Sequence, residues 1–176
     1  MRGAPGTQPA ESREHGLPPV TGDMPRVLVL GSFPSRISLE RGLYYANPRN
    51  RFWEVMKALL DLPGLPVNAD PPRDYPEFLV RHHIALWDVV ASRRFQPGSM
   101  DRDMQDTRTN DIAAFLQRHP TVRCIALNGG KAGQLLPRET IPDEIAVLRL
   151  PSTSPANARY SLEEKVSKWR AVLQYL

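Results

Sequence analysis

Five places along the chain hold the residue types that could do chemistry. Gly31-Ser32-Phe33-Pro34-Ser35 follows the apolar run Val27 to Leu30. Gly31 can take dihedrals closed to other residues and Pro34 fixes its own φ, so such a loop can aim backbone N–H groups at one point. Tyr44, Tyr45, Asn47, Arg49 and Asn50 form a polar cluster immediately before a helical pattern with apolar positions Phe52, Val55, Met56, Leu59 and Leu60. Asp88 falls where the apolar run 84–90 should be leaving the core, and Asn128 ends the run 123–127. Ser152-Thr153-Ser154-Pro155-Ala156-Asn157 follows the run 145–150.

These groups are peptide donors, amides, hydroxyls, phenols and one carboxylate. They suit a reaction that needs positioning and polar stabilisation more than a strong base. His15, His82, His83 and His119 are scattered without carboxylate or cysteine spacing, so no metal site is expected. A Gly-x-Ser-x-Gly elbow is absent, as are the phosphate-loop and dinucleotide fingerprints, and no cofactor is expected. Each candidate also has a plain structural reading. Asn50 sits where a helix N-cap would sit, Phe33 could plug the core edge, and one of Tyr44 and Tyr45 could be core. Asp88 could cap or pair locally, Asn128 could form the turn before Gly129-Gly130, and the Ser152 loop could cap the last helix.

The elements that must position these groups read clearly. Runs 27–30, 84–90, 123–127 and 145–150 are apolar enough for strands buried on both faces of a parallel sheet. Helical patterns alternate with them: one from Phe52, a short one through Tyr75, Phe78 and Leu79, one through Ile112, Phe115 and Leu116 with Asn110 as its N-cap, and one from Gly130 through Leu136. Ser161 and Glu164 form a capping-box pattern for a terminal helix with buried face Leu162, Val166, Trp169, Val172 and Leu173. The alternation predicts an α/β fold, a three-layer α/β/α sandwich with a central four-stranded parallel sheet. Its strand ends would share one crevice, where open α/β sheets bind ligands.

A length of 176 residues suits one domain with a substantial core. Residues 1–24, rich in Pro and Gly with little to bury, are expected to form a disordered tail, leaving 25–176 as the single domain. Residues 61–74 read as a loop, and 91–111 as a long polar loop that is either functional or a mobile surface insertion. The net charge of +4 and pI near 9.5 fit a polyanionic partner without requiring one. Cys124 lies in an apolar run and reads as a buried, inert thiol. Without a bilayer-spanning run or a secretory leader, a cytoplasmic, nucleoid-associated protein with no membrane partner is expected.

Gly-Ser-Phe-Pro-Ser at 31–35, Tyr-Tyr-Ala-Asn-Pro-Arg-Asn-Arg-Phe-Trp at 44–53 and Leu-Pro-Ser-Thr-Ser-Pro-Ala-Asn-Ala at 150–158 together resemble the hypoxanthine-DNA (deoxyinosine) glycosylase branch of the uracil-DNA glycosylase superfamily. The resemblance runs from about Arg26 to the C-terminus, in order. It implies a monofunctional glycosylase that hydrolyses the N-glycosidic bond of a flipped deaminated base, hypoxanthine first and uracil or xanthine behind it, in base excision repair. Under it, Asn50 orients water, and backbone N–H groups around Ser32 stabilise the departing base. Gly31, Phe33, Tyr44, Tyr45, Asp88 and Asn128 surround that base, with Asp88 at its hydrogen-bonding edge. The loop Ser152, Thr153, Ser154, Pro155, Ala156 and Asn157 enters the minor groove, with Arg49 and Arg51 beside it. Arg36, Arg93, Arg94 and Arg159 are further candidates for a phosphate track, or ordinary surface arginines.

The implied partner is DNA containing deaminated bases, bound by a monomer. A catalytically weak homologue that only binds damaged or single-stranded DNA is the alternative from another class. A small-molecule nucleoside hydrolase or an interaction module would show no DNA affinity.

Overall fold

Uninterrupted apolar runs bury both faces of a strand, and three of them make the centre of this molecule. In the computed structural model, which describes residues 13–61, 75–94 and 106–176, these are β2 (Val27–Gly31), β3 (Ile84–Asp88) and β6 (Cys124–Asn128), buried at every position. With β7 (Ala146–Leu150) they form a parallel sheet in the order β3-β2-β6-β7. Helices α1 (Arg36–Arg41), α2 (Phe52–Leu60), α3 (Tyr75–Arg81), α4 (Ile112–Arg118), α5 (Gly130–Leu135) and α6 (Leu162–Trp169) connect and cover it. The three-layer α/β/α sandwich with a central four-stranded parallel sheet is the observed architecture.

Register places the polar residues. Gly31 lies opposite Asp88, Leu30 opposite Leu127 and Asn128 opposite Leu150, so all four carboxyl ends finish level. A shift of one residue in any pair would turn a polar end residue into the core. Phe52, at the start of α2, packs edge-on against Trp53 at 5.1 Å and Trp169 of α6 at 6.1 Å, anchoring the helix mouth. The capping box of α6 is complete: Ser161 Oγ accepts from Glu164 N and Glu164 Oε2 accepts from Ser161 N. Beyond Trp169 the chain tightens into a 3-10 turn, Arg170–Tyr175, which buries Val172 but leaves the expected core residue Leu173 36 % exposed.

Residues 13–24 depart from the disordered tail expected for 1–24; residues 1–12 lie outside the described residues. β1 (Arg13–His15) pairs antiparallel with β4 (Val90–Arg94), and β4 pairs with β5 (Arg108–Thr109) in a second, three-stranded sheet. Val20 exchanges two backbone hydrogen bonds of 2.9 Å with Leu86, covering the open edge of β3. Leu17 and Val20 pack on the core. Pairing partners remote in sequence supply the stability that local composition lacks.

The loop expected over 91–111 is likewise part of this sheet at 91–94 and 108–109; residues 95–105 lie outside the described residues, as do 62–74 of the loop expected over 61–74, whose first residue Asp61 is the left-handed C-cap of α2. β4 escapes an apolar-periodicity reading because its inward position Ser92 is polar, buried, and bonded to Arg13 Nε at 3.3 Å. The cap of α4 is Asp111, whose carboxylate accepts from Ala114 N at 2.8 Å, one residue after the expected Asn110. Asn110 is drawn away because its Nδ2 donates to the Asp88 carbonyl at 2.8 Å.

Candidate active site

A cleft of about 460 Å³ opens across the level strand ends. Gly31, Ser32 and Phe33 form one wall from the β2 loop, with Tyr44, Tyr45 and Asn50 beside them. Asp88 and Asn128 come from the ends of β3 and β6, and Ser152, Thr153, Ser154, Ala156 and Asn157 close the far side. Of the residues expected at the site, Pro155, Arg49 and Arg51 do not line the cleft. Arg49 is exposed, and the Arg51 guanidinium is held 2.6 Å from Glu54 Oε1. Of the candidate phosphate-track arginines, Arg36 pairs with Glu40 at 2.7 Å and Arg159 lies over Tyr160. Arg93 alone of that group lines the cleft.

Asn50 borders the cleft, but it is not the N-cap of α2: that position is Arg51, one residue later, with no side-chain cap bond. Asn50 Oδ1 accepts from Phe52 N at 3.0 Å, an Asx turn that leads the chain into the helix. Its own N–H donates to the Asn47 carbonyl, while Asn47 Oδ1 accepts from Arg49 N, so the Pro-Arg-Asn turn is fixed from within. The Asx turn orients the side-chain amide instead of competing with its exposure to the cleft.

The two tyrosines divide the roles considered for them. Tyr44 is core: it is 3 % exposed and its hydroxyl lies 3.0 Å from the Leu17 carbonyl and 3.1 Å from that of Pro18. Tyr45 takes a left-handed φ of 55°, costly for a residue with a Cβ, and its ring stacks on Phe52 at 3.9 Å. Burial and the nearby Asp88 raise both phenols well above their ordinary range, so both stay protonated. Asn128 lies close enough to Tyr45 to favour the phenolate slightly, without making a hydrogen bond to it; the Tyr45 hydroxyl has no partner.

Asp88 is 3 % exposed, and burial pushes its carboxyl up to about 7. A Cβ at residue 31 would fall on Asp88 Oδ1 and close to the Tyr45 hydroxyl, so glycine is required there by close approach. Asn128, expected either at the base or in a turn, lines the cleft, sits at a tight turn in which Gly129 N donates to the Leu127 carbonyl at 3.0 Å, and is in addition a strut. Its Nδ2 donates to Thr153 Oγ1 and its Oδ1 accepts from Thr153 N, both at 2.9 Å.

The Ser152–Asn157 loop is held from below and within. Trp169 Nε1 donates to the Pro151 carbonyl at 3.0 Å, and Lys165 Nζ, in a side chain 3 % exposed, donates to the Asn157 carbonyl at 3.0 Å. Burial and the neighbouring Arg51 lower the lysine's pKa. Asn157 Nδ2 returns to the Ser152 carbonyl. At Gly129, φ is 100° and a Cβ would strike Ser152, which ties the β6 turn to the same loop.

Sequence reasoning missed Ser38 and Lys131, and it named Arg93 only for a phosphate track and not as a wall of the cleft. The Arg93 guanidinium lies 4.5 Å from the centre of the Phe33 ring and donates to Glu14 Oε2 at 2.7 Å, an arrangement made by the β1–β4 pairing. Cys124 is fully buried, with burial pushing its thiol up to about 12, in keeping with an inert core residue. Among the described residues no helix is long and apolar enough to cross a membrane.

A parallel α/β sandwich whose strand ends bring together a peptide loop, a buried carboxyl, an oriented amide and a braced Ser/Thr/Asn loop defines a class of enzyme that works by positioning. The family model described as the uracil DNA glycosylase superfamily matches residues 18–176, and the chain belongs to that superfamily; it is a DNA glycosylase, a hydrolase of N-glycosidic bonds. It is 32 % identical over 163 residues to a hypoxanthine DNA glycosylase of Methanosarcina acetivorans, covering 92 % of this chain and 99 % of the relative. A hypoxanthine DNA glycosylase of Methanosarcina barkeri is 29 % identical over 158 residues, covering 89 % and 96 %. A solution NMR structure from M. acetivorans, provisionally described as a uracil DNA glycosylase, superposes with a TM-score of 0.75 at 30 % identity over 93 % of this chain and 98 % of that one.

Proposed function

We propose that this glycosylase removes deaminated bases from DNA, hypoxanthine first and uracil or xanthine behind it, acting as a monofunctional enzyme in base excision repair. The relatives' names support hypoxanthine. The observation that carries the reading is the meeting of Asn50, the Gly31–Phe33 loop and Asp88 in one cleft.

The target nucleotide leaves the stack, because its glycosidic bond is out of reach within a duplex. Extrusion costs a few kcal/mol and least at damaged or mismatched pairs, so selection begins there. As the C1′–N bond breaks, positive charge grows on the sugar and negative charge on the base. Backbone N–H groups of Ser32 and Phe33 stabilise that anion as an oxyanion hole does. Asn50 orients a water whose oxygen bonds to C1′ as the base departs, and the water's proton passes to solvent. Phe33 and Tyr45 wall the base, and Asp88 faces its hydrogen-bonding edge. The Ser152–Asn157 loop supplies short donors to the phosphates flanking the extruded nucleotide.

Single-turnover cleavage of end-labelled duplexes carrying inosine, uracil or xanthine, with alkali to reveal abasic sites, tests this reading. Cleavage of inosine by wild type and its loss in Asn50→Ala support it. DNA binding without cleavage of any substrate overturns it in favour of a binding-only homologue.

A further inference from the structure

Among the described residues, two polar atoms of cleft-lining side chains are buried and have no partner: Asp88 Oδ2 and the Tyr45 hydroxyl. Buried polar groups are nearly always paired, so two orphans on one cleft mark where a ligand supplies the missing hydrogen bonds. The groups around Asp88 are known from each element. From β2 comes Gly31, without a side chain; from the turn before α2 come the phenols of Tyr44 and Tyr45. Asn110 holds the Asp88 main-chain carbonyl with a neutral amide. Of the two cations that line the cleft among the described residues, Arg93 is turned to Glu14 and the Phe33 ring, and Lys131 stands on α5. Burial is what moves this carboxyl, to about 7.

We propose that Asp88 meets the extruded base as a neutral carboxylic acid and reads a lactam edge at two points. Its carbonyl oxygen accepts from the ring N–H, and its O–H donates to the adjacent ring carbonyl oxygen. Hypoxanthine, xanthine and uracil all present this N–H beside C=O. No proton changes hands. An ionised Asp88 keeps the first bond but sets an oxygen anion against the carbonyl oxygen, so recognition weakens as pH rises through the titration of this group. The inference rests on the reading that the cleft takes a deaminated base.

The test has a cleavage arm and a binding arm, both from pH 5.5 to 9. Single-turnover cleavage of inosine duplex is followed for wild type, Asp88→Asn and Asp88→Ala. Binding is followed by fluorescence anisotropy on duplexes carrying non-cleavable 2′-fluoro-inosine or 2′-fluoro-adenosine. Wild type is expected to lose about tenfold in rate per pH unit above about 7. Asp88→Asn, whose amide offers the same donor and acceptor at every pH, is expected to run up to about tenfold slower at pH 6 and to lack that limb. Asp88→Ala is expected to lose about a hundredfold or more. A limb shared by wild type and Asp88→Asn belongs to the substrate and overturns the proposal. So does a loss in Asp88→Asn as deep as in Asp88→Ala, which would make the carboxylate itself the working form. If wild type cleaves nothing yet prefers 2′-fluoro-inosine with the same pH dependence, the glycosidic reading falls and the edge reading stands. Absence of both cleavage and preference overturns both.

Discussion

The backbone N–H of Arg51 donates to the carbonyl of Thr153 at 2.9 Å, tying the residue next to Asn50 to the buried centre of the Ser152–Asn157 loop. Thr153 is 0 % exposed and also makes both side-chain bonds of Asn128, accepting from Nδ2 at its Oγ1 and donating from its N–H to Oδ1. Three chain segments about 50, 130 and 150 are therefore tied to one another, the kind of fixed geometry that holding an extruded nucleotide against a positioned water requires.

Replacing Thr153 by Val removes the Oγ1 acceptor and leaves Asn128 Nδ2 buried without it. Both main-chain bonds survive, so the fold persists. A loss of about 1–3 kcal/mol in urea denaturation is expected, with weaker binding to inosine duplex. Unchanged stability would show that Asn128 finds another partner.

Asn50 both closes the Asx turn before α2 and borders the cleft, and two variants separate these roles. Asn50→Ala should lose about 0.5–1.5 kcal/mol of stability and most of the cleavage rate. Asn50→Ser keeps an acceptor for Phe52 N, so its denaturation midpoint should return towards wild type while the rate does not. Recovery of both would reduce Asn50 to a turn residue.

The buried carboxyl of Asp88 also makes stability depend on pH. Its folded value, about 7, lies above its ordinary 3.8, so the native state binds the proton more tightly than the unfolded chain. Stability is highest below about pH 4 as far as this group is concerned, falls as pH rises from there to about 7, and is flat above. Asp88→Asn removes that fall and should be more stable than wild type at pH 8 by up to about 4 kcal/mol. Parallel melting curves at pH 5 and 8 for both proteins check the sign.

Gly31→Ala places a Cβ on Asp88 Oδ1, and a cost of about 1–3 kcal/mol is expected. Adding Asp88→Ala should recover part of it. A double-mutant cycle measures the coupling, and additivity would mean that the carboxyl simply swings aside.

A chain starting at Pro25 loses β1, the Val20 cover on β3 and the acceptors of the Tyr44 hydroxyl. Thermal unfolding should report a loss of several kcal/mol, on the scale of about 2–4 for the apolar side chains and hydrogen bonds removed. Cleavage should fall as well, because Arg93 no longer has Glu14 to hold it over Phe33.

The amino-acid sequence by itself determined the parallel sheet and its helices, because an unbroken apolar run has no other way to be buried and a capping box has no other use. It also determined which polar stretches follow the strands, hence the chain segments that reach the cleft apart from α1, β4 and the start of α5. Only the tertiary structure decided how those stretches meet. Level strand ends come from register between remote segments, and Asn128 became a strut because Thr153 arrived opposite it. Asn110 gave up the cap because Asp88 offered a carbonyl, and residues 13–24 took order from β4 and β3. Local propensity acts over a few residues, whereas hydrogen-bond partners and desolvation are set by neighbours distant in the chain. Arg93 over Phe33 and the raised pKa of Asp88 belong to that second kind.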